Sequence, residues 1–130
     1  MDNKKYEHNK ESYYDGDDLY IAVHHNSCSV EKDLDEFVAE VCGEHDGDDW
    51  WWLMKTKDGK YALLTGGCDY TGWDCRSNLE IVGVYDTAEL AIEASPEKEE
   101  NSSGRKIREV LMKQFKGELP FALYTETDKS

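Results

Sequence analysis

The sequence feature that most constrains the fold of this chain is a β-hairpin pattern near its middle. Two runs rich in β-forming residues, WWWLMKTK at 50–57 and KYALLT at 60–65, flank the dipeptide Asp58-Gly59. Asp and Gly tolerate the positive φ angles of a type I′ turn, which joins two antiparallel strands through two residues. The pattern therefore predicts a hairpin with its tip at Asp58 and Gly59.

Three consecutive tryptophans begin the first strand of this hairpin. Alternate residues of a strand face opposite sides of the sheet, so Trp51 is expected on one face and Trp50 and Trp52 on the other. In a single small sheet, we expect a helix to cover at least one of these rings and another ring to stay partly exposed. An exposed ring would be a binding hot spot beside the acidic loop 44–49, whereas packing between helices would make the run purely structural.

Patterns on both sides of the hairpin predict further helices and strands. After the N-cap candidate Ser29, apolar residues recur at helical spacing as far as Val41, and the intervening positions are mostly carboxylates. We expect an amphipathic helix at 30–41 with an acidic outer face. The other expected elements are a strand at 18–24, a strand at 79–85 with Gly83 at a bulge or close approach, a helix from a capping box at 86–89 to about 94, a helix at 105–116 and a short strand at 121–124.

The order of these elements predicts an α+β fold, with a small, mostly antiparallel sheet and two or three helices packed on one face. The chain of 130 residues is long enough for one modest core. We predict a flexible polar arm at 1–17, which Tyr6 and its neighbouring tyrosines could dock, a single domain at 18–125 and a tail at 126–130.

The charge of the chain limits its possible partners. The net charge is −14, and residues 15–49 alone hold twelve acids and one base, a net charge of −11. Such a chain would repel phosphates, which argues against direct binding of nucleic acid and favours a basic protein partner. A block of one sign can also be only a solvated face. The segment 105–116, with five bases and one acid, is the basic counterpart.

Composition also indicates the class and compartment of the protein. An aromatic content of 12% supplies enough apolar mass for a packed core and argues against wholesale disorder. No apolar run is long enough to span a bilayer and the first residues are polar, which predicts a soluble, cytoplasmic protein without a signal peptide. In that compartment Cys28, Cys42, Cys68 and Cys75 are expected to be reduced thiols.

The most specific motif is the run CDYTGWDC at 68–75, which follows the hairpin. Here the chain resembles a group of uncharacterised small proteins of bacteria and phages that carry a similar hairpin before a similar loop. The resemblance covers about 51–93 and implies a shared α+β core, but no established chemistry. In size and charge the chain also looks like phage anti-CRISPR and other anti-defence proteins.

The cysteines of this loop suggest metal binding only weakly. Six residues separate Cys68 from Cys75, whereas zinc sites usually pair thiols two to four residues apart. Cys42 and His45 have better local spacing and could join them if the fold brought the segments together. The weak metal candidates are therefore Cys42, His45, Cys68 and Cys75, and no metal or other cofactor is predicted.

Two other interpretations of the loop remain. A nucleophilic cysteine needs a lowered thiol pKa, but Asp69 and Asp74 beside the thiols would raise it. Alternatively the glycines allow tight turns while Tyr70 and Trp73 pack at the edge of the core. We favour this structural interpretation, which is compatible with a recognition surface.

No catalytic residue is predicted, and the favoured hypothesis is a protein-binding inhibitor. Rows of carboxylates would occupy a basic groove in a nucleic-acid-binding host complex, by DNA mimicry of the anti-CRISPR or anti-restriction type. The alternatives are a small enzyme or metal-binding domain that uses the loop 68–75, and a housekeeping interaction protein for a basic partner. The predicted partner-binding residues are Asp33, Glu36, Glu40, Glu44, Asp46, Asp48, Asp49, Trp50, Trp52, Tyr70 and Trp73.

Overall fold

The computed structural model describes residues 4–8, 19, 20, 23, 28–42, 47–68, 78–95, 106–118 and 123–124. Its strands are β1 (Lys4–Lys5), β2 (Leu34–Cys42), β3 (Gly47–Thr56), β4 (Tyr61–Cys68), β5 (Asn78–Tyr85) and β6 (Leu123–Tyr124). The helices are α1 (Ala88–Glu93) and α2 (Ile107–Phe115), and a 3-10 turn at Glu31–Asp33 precedes β2.

The strands form one sheet in the order β1-β2-β3-β4-β5, and β6 pairs with β2. Neighbouring strands are antiparallel except for the parallel pair β2 and β6. The four long strands β2 to β5, with α1 and α2, confirm the predicted α+β fold.

The hairpin of β3 and β4 is confirmed, but its loop is one residue longer than predicted. The Thr56 N–H donates to the Lys60 carbonyl at 2.8 Å, so Lys57, Asp58 and Gly59 form a three-residue loop. The Gly59 N–H donates to the Thr56 carbonyl at 3.0 Å, and Gly59 has a φ of 84°. A turn followed by a left-handed residue is the usual geometry of such loops, and glycine adopts it without strain.

The segment predicted to be a helix at 30–41 is mostly strand β2, so that prediction is wrong. Its pairing with β3 shifts register between Leu34 and Glu36 and again between Phe37 and Ala39. A bulge adds a residue to one strand, which lets residues three apart, such as Leu34 and Phe37, face the same side. Buried residues three apart are also the signature of a helix, and the pattern was therefore misleading.

The N-terminal segment also differs from its prediction. Leu19, Tyr20 and Val23 are helical, so the strand expected at 18–24 is wrong at these positions. The arm expected to be flexible is docked where it is described, because Lys4 and Lys5 pair with β2. Tyr6 stacks on Tyr20 with ring centroids 4.8 Å apart, as its aromatic character suggested.

Both faces of the sheet are buried, and the three tryptophans divide between them as the strand pattern predicts. The aromatic face holds Trp50 and Trp52, and the helical face, covered by α1 and α2, holds Trp51. Their exposed fractions are only 1%, 0% and 8%, so the expectation that one ring is partly exposed is wrong. The buried residues of the aromatic face are Tyr6, Leu19, Tyr20, Leu34, Phe37, Trp50, Trp52, Met54, Ala62 and Leu64.

Helix α1 begins one residue later than its capping pattern suggests. Thr87, not Asp86, is the N-cap, and its hydroxyl accepts a hydrogen bond from the Leu90 N–H at 3.1 Å. An N-cap oxygen of this kind satisfies one of the free N–H groups of the first turn. Asp86 instead pairs with Lys60 at 2.7 Å, which ties the start of α1 to the hairpin.

Helix α2 ends at a glycine, as predicted. Gly117 has a φ of 79°, and its N–H donates to the Gln114 carbonyl at 3.0 Å. The Glu118 N–H reaches back to the Lys113 carbonyl at 2.7 Å, which completes a Schellman motif. Among the described residues, no helix is long and apolar enough to cross a membrane.

Strand β5 is confirmed, together with the special role of Gly83. Leu63 pairs with Gly83 and Leu64 with Ile81, which leaves Val82 as the extra residue of a bulge. The Tyr85 side chain lies over Gly83, and a Cβ there would be 2.6 Å from the Tyr85 hydroxyl oxygen. Gly83 is thus both beside a bulge and at a close approach.

Candidate functional site

The acids predicted to form a partner-binding row are divided between surface and core where their side chains are described. Asp33 is exposed in the 3-10 turn, whereas Glu36 lies in β2 and its carboxylate is 2.9 Å from the Lys5 ammonium. Glu40, also in β2, is buried. Asp48 and Asp49 are on strand β3, and Glu44 and Asp46 lie outside the described residues. The acidic helical face that motivated the prediction does not exist, because this segment is a strand.

Glu40 belongs to the interior of the sheet rather than to an interface. It is 9% exposed, and its carboxylate accepts a hydrogen bond from the Trp52 indole at 2.8 Å. The Gln114 amide on α2 bonds the Glu40 backbone twice: its oxygen accepts from the N–H at 2.8 Å and its nitrogen donates to the carbonyl at 2.9 Å. A buried carboxylate needs such donors, so these groups are structural partners. The prediction that Glu40 contacts a partner is therefore wrong in this structure.

Other acids of the predicted block bond to the N-terminal segment. The Tyr6 hydroxyl donates to Glu31 at 3.0 Å, and burial, followed by the Glu31 charge, raises the Tyr6 pKa well above its usual range. The His8 Nε2 donates to the Leu34 carbonyl at 2.7 Å, while its Nδ1 lies 3.7 Å from Glu31. The hydrogen bond to Glu36 raises the pKa of Lys5. Part of the negative charge is thus used to hold the segment in place.

The predicted aromatic anchors are not surface features where they are described. Trp50 and Trp52 are in the core, with their ring centroids 6.4 Å apart. Neither ring can contact a partner in this structure. Tyr70 and Trp73 lie outside the described residues.

Trp51 differs from its neighbours in one respect. Its indole N–H is buried and has no hydrogen-bond partner among the residues that the structure describes. An unsatisfied buried donor costs about 1–3 kcal/mol, so Trp51 stabilises the helical face by packing alone.

The weak metal candidates are not brought together by the described residues. Cys42 and Cys68 end β2 and β4, with β3 between these strands. Two strand spacings place their backbones roughly 10 Å apart. A disulfide between them is also excluded, because it needs Cα atoms within ~7 Å of each other. His45 and Cys75 lie outside the described residues, and the remainder contain no group of three or more potential metal-binding side chains.

Cys28 is the one free cysteine whose side chain is described. Burial raises the pKa of its thiol. A raised pKa lowers the thiolate fraction, so Cys28 does not have the character of a nucleophile.

An exposed acidic surface lies instead on β5 and α1, outside the acidic block at 15–49. Between Asn78 and Ser95 the chain has four acids and no base. All four are exposed: Glu80, Asp86, Glu89 and Glu93 form what we call the β5–α1 acidic surface. Only Asp86 has an ion pair within the described chain. The sequence signal that could have identified it is the absence of Lys and Arg over this stretch.

Two carboxylates of this surface are spaced unfavourably for helix stability. Glu89 and Glu93 stand four residues apart on α1 and so lie on the same side of the helix. A like-charge pair at this spacing destabilises a helix by about 0.2–0.5 kcal/mol. The Arg108 guanidinium on α2 donates to the Glu93 backbone carbonyl at 3.0 Å, so one cation lies near this pair. Neither carboxylate of the pair has an ion pair within the described chain, which leaves both charges available to a partner.

The two edges of the sheet differ. The β2 edge is closed by β1 at Glu36 and Phe37, by the Gln114 amide at Glu40 and by β6 at Val41. The β5 edge has no such cover among the described residues, since β5 pairs with β4 alone. Two apolar side chains stand along it, Val82 and Val84, with exposed fractions of 37% and 43%.

A groove lies along α2, with a volume of about 440 Å³. Lys106, Lys113 and Lys116 line it together with Met112. Lys113 pairs with Glu109 at 3.4 Å, an exposed i,i+4 ion pair of the kind that contributes little. Lys113 in the last turn also interacts favourably with the helix dipole, whereas Lys106 is the N-cap residue at the opposite end of α2. Glu109 and Glu118 line the groove as well, so its charge is mixed.

No protein-family model, curated protein or solved structure matches this chain. The geometry alone thus defines the candidate site, which consists of the β5–α1 acidic surface and the adjoining open edge of β5.

Proposed function

We propose that this chain is an acidic protein-binding inhibitor that occupies a basic, nucleic-acid-binding groove of a host complex. The observation that carries the proposal is the β5–α1 acidic surface, with four exposed carboxylates in a segment that has no base of its own. A net charge of −14 supports it, because a field of this sign steers a basic partner and repels nucleic acid.

The spacing of the carboxylates indicates how far mimicry of DNA could extend. Glu89 and Glu93 are four residues apart, which is ~6 Å along a helix axis. One DNA strand carries a phosphate charge every ~3.4 Å of axis. The helix therefore offers roughly half the linear charge density of a DNA strand. The carboxylates supply attraction and orientation, and the remaining affinity must come from other contacts.

The class of partner is proposed from the resemblance of the CDYTGWDC loop to bacterial and phage proteins. Phage proteins that block nucleases or CRISPR complexes work in the cytoplasm of the host cell, and we place this chain there. The test partner is accordingly a host complex with a basic nucleic-acid groove. A housekeeping partner of the same charge would be recognised by the same physics.

The test is a pull-down from host lysate at low and high salt with three proteins. The first is the wild type, and the second carries Glu80→Gln, Glu89→Gln and Glu93→Gln. The control carries Glu7→Gln, Glu109→Gln and Glu118→Gln, which changes the net charge by the same amount at exposed sites elsewhere. We expect the wild type and the control to capture a nucleic-acid-binding protein at low salt, and the second protein to lose it.

Two outcomes would contradict the proposal. Equal loss in both variants would mean that net charge, and not this surface, drives capture. Capture of a partner whose nucleic-acid binding is unaffected by saturating protein would replace inhibition with a housekeeping interaction.

A further inference from the structure

We propose that the outer edge of β5 accepts an extended, basic segment of a partner protein as an additional strand of the sheet. Pairing of this kind uses main-chain hydrogen bonds for affinity and alternate side chains for specificity. The occupant to which we commit is a segment in which Lys or Arg alternates with apolar residues.

The backbone of β5 is unpaired along its outer side among the described residues. An edge strand presents a row of N–H and C=O groups that have no partner within the sheet. Over Asn78–Tyr85, the hydrogen bonds of the described residues run only to β4. The strand is eight residues long, or ~26 Å, enough to pair with a segment of five or more residues.

The opposite edge of the sheet, at β2, is covered. On β2, even the short gap between β1 and β6 is filled, because the Gln114 amide bonds both backbone groups of Glu40. Natural sheets commonly cover or blunt their edges to avoid unwanted pairing. This chain closes the β2 edge with three separate elements and leaves β5 uncovered within its described part.

The side chains along the open edge combine an apolar centre with acidic ends. Val82 and Val84 are β-branched and more than a third exposed, which suits them to cross-strand contacts with apolar side chains. Glu80 stands at one end of this pair on β5, and Asp86 follows the other end. A strand with basic residues at its ends would therefore meet opposite charge on both sides of an apolar centre.

Charge also decides between a partner and a second copy of this chain. Two β5 edges brought together would place Glu80 of each copy near the same acidic surface, and each copy carries a net charge of −14. Like charges across paired strands are destabilising. A basic segment reverses this sign, so it fits the edge better than self-association does.

The bulge at Val82 is the feature that opposes the inference. Bulges and charged residues are devices that blunt an edge against pairing. Here, however, the bulged residue is an exposed valine and the exposed Val84 follows it, whereas lysine or proline would be the more effective blocking residues. The experiment must therefore separate strand addition from simple attraction between opposite charges.

This inference rests on the proposed function for the sign of the partner's charge, but not on inhibition. Its test uses purified protein and the synthetic peptide KVKVKVK with a fluorescent label, at 150 mM salt. The first control peptide, KVKPKVK, has the same charge but a central proline that interrupts strand pairing. Binding is measured by fluorescence anisotropy, and protection of individual backbone amides by hydrogen exchange.

The matched variants each make the net charge more positive by two, either on the edge or away from it. The edge variant carries Val82→Lys and Val84→Lys. The control variant carries Glu109→Gln and Glu118→Gln, at exposed positions outside the β5–α1 acidic surface, so its net charge changes equally. Circular dichroism establishes that both variants are folded.

We expect the peptide to bind the wild type, and β5 amides to gain protection. The proline peptide and the edge variant should each weaken binding at least about tenfold, whereas the control variant should stay within about twofold. Equal binding of both peptides, or protection confined to α1, would overturn strand addition. A wild-type dimer that the edge variant converts to a monomer would also overturn it, because a second copy would then occupy the edge. The pull-down can fail while this binding is present, so the two proposals are separable.

Discussion

Replacing Trp52 by Phe should destabilise the protein far more than the same replacement at Trp51. Both rings are buried in adjacent positions of β3, so each change removes a similar volume from a core. The difference lies in the indole N–H, which at Trp52 donates to the buried Glu40 carboxylate at 2.8 Å and at Trp51 has no partner. The pair of variants therefore isolates one hydrogen bond.

The magnitude follows from the two environments. Losing a hydrogen bond to a charged group costs about 1.5–3 kcal/mol. Removing the unsatisfied Trp51 donor recovers about 1–3 kcal/mol, which offsets part of the cavity left by the smaller ring. We expect the free energy of unfolding of Trp52→Phe to be lower than that of Trp51→Phe by roughly 2.5–6 kcal/mol.

The assay is urea unfolding followed by far-ultraviolet circular dichroism, since tryptophan fluorescence would change with the variants themselves. With a denaturant slope of about 1–3 kcal/mol per molar urea, the midpoints should differ by about 1–2 M or more. Glu40→Met, which removes the acceptor and retains an unbranched side chain, completes a double-mutant cycle with Trp52→Phe. Equal midpoints for the two Trp variants, or no coupling in the cycle, would refute the reasoning.

Three further predictions concern other contacts. Gln114→Met removes both hydrogen bonds to the Glu40 backbone, and the free energy of unfolding should fall by about 2–4 kcal/mol in urea. The Thr56 hydroxyl donates a hydrogen bond to the Asp58 carboxylate, and this bond lowers the pKa of Asp58. The stability that the bond confers is complete above the pKa of Asp58 in the unfolded chain, and it is lost as pH falls through the lower pKa of the folded state. An NMR titration of Thr56→Val should show that pKa raised, with a weaker dependence of stability on acid pH. Burial raises the pKa of Cys28, so iodoacetamide should label this thiol more slowly in folded than in urea-unfolded protein at pH 8, as peptide mapping will show; equal rates would contradict this.

Local chemistry predicted the elements whose determinants lie close together in sequence. The hairpin depends on Asp58-Gly59 and on two adjacent β-forming runs, and only the loop length differed. Gly117 ends α2 for the same kind of local reason. Whether residues 34–42 form a strand or a helix depends on their pairing with β3, which is not visible in the local pattern. The bulges in that pairing give Leu34 and Phe37 a helix-like spacing.

The candidate site was harder to predict than the fold. The density of acids around Glu36 and Glu40 suggested a surface, but one of these carboxylates is bonded to Lys5 and the other is buried beside Trp52. A count of charges cannot distinguish an acid with an internal partner from an acid in solvent. The β5–α1 acidic surface has fewer acids, but its isolation from bases could have been read from the sequence.

The closure of the β2 edge has a consequence for the nascent chain. Strands β2 to β5 and helix α1 are contiguous over 34–93, so the meander and its first helix can form while translation continues. Gln114 and β6, at Leu123–Tyr124, leave the ribosome later than everything they cover. Until then β2 is bare at Glu40 and Val41, although β1 already covers Glu36 and Phe37. Among the described residues the β5 edge is open as well. The emerging protein is therefore most prone to aggregate before Gln114 and β6 have left the ribosome, and a chain truncated ahead of Gln114 keeps that vulnerability permanently.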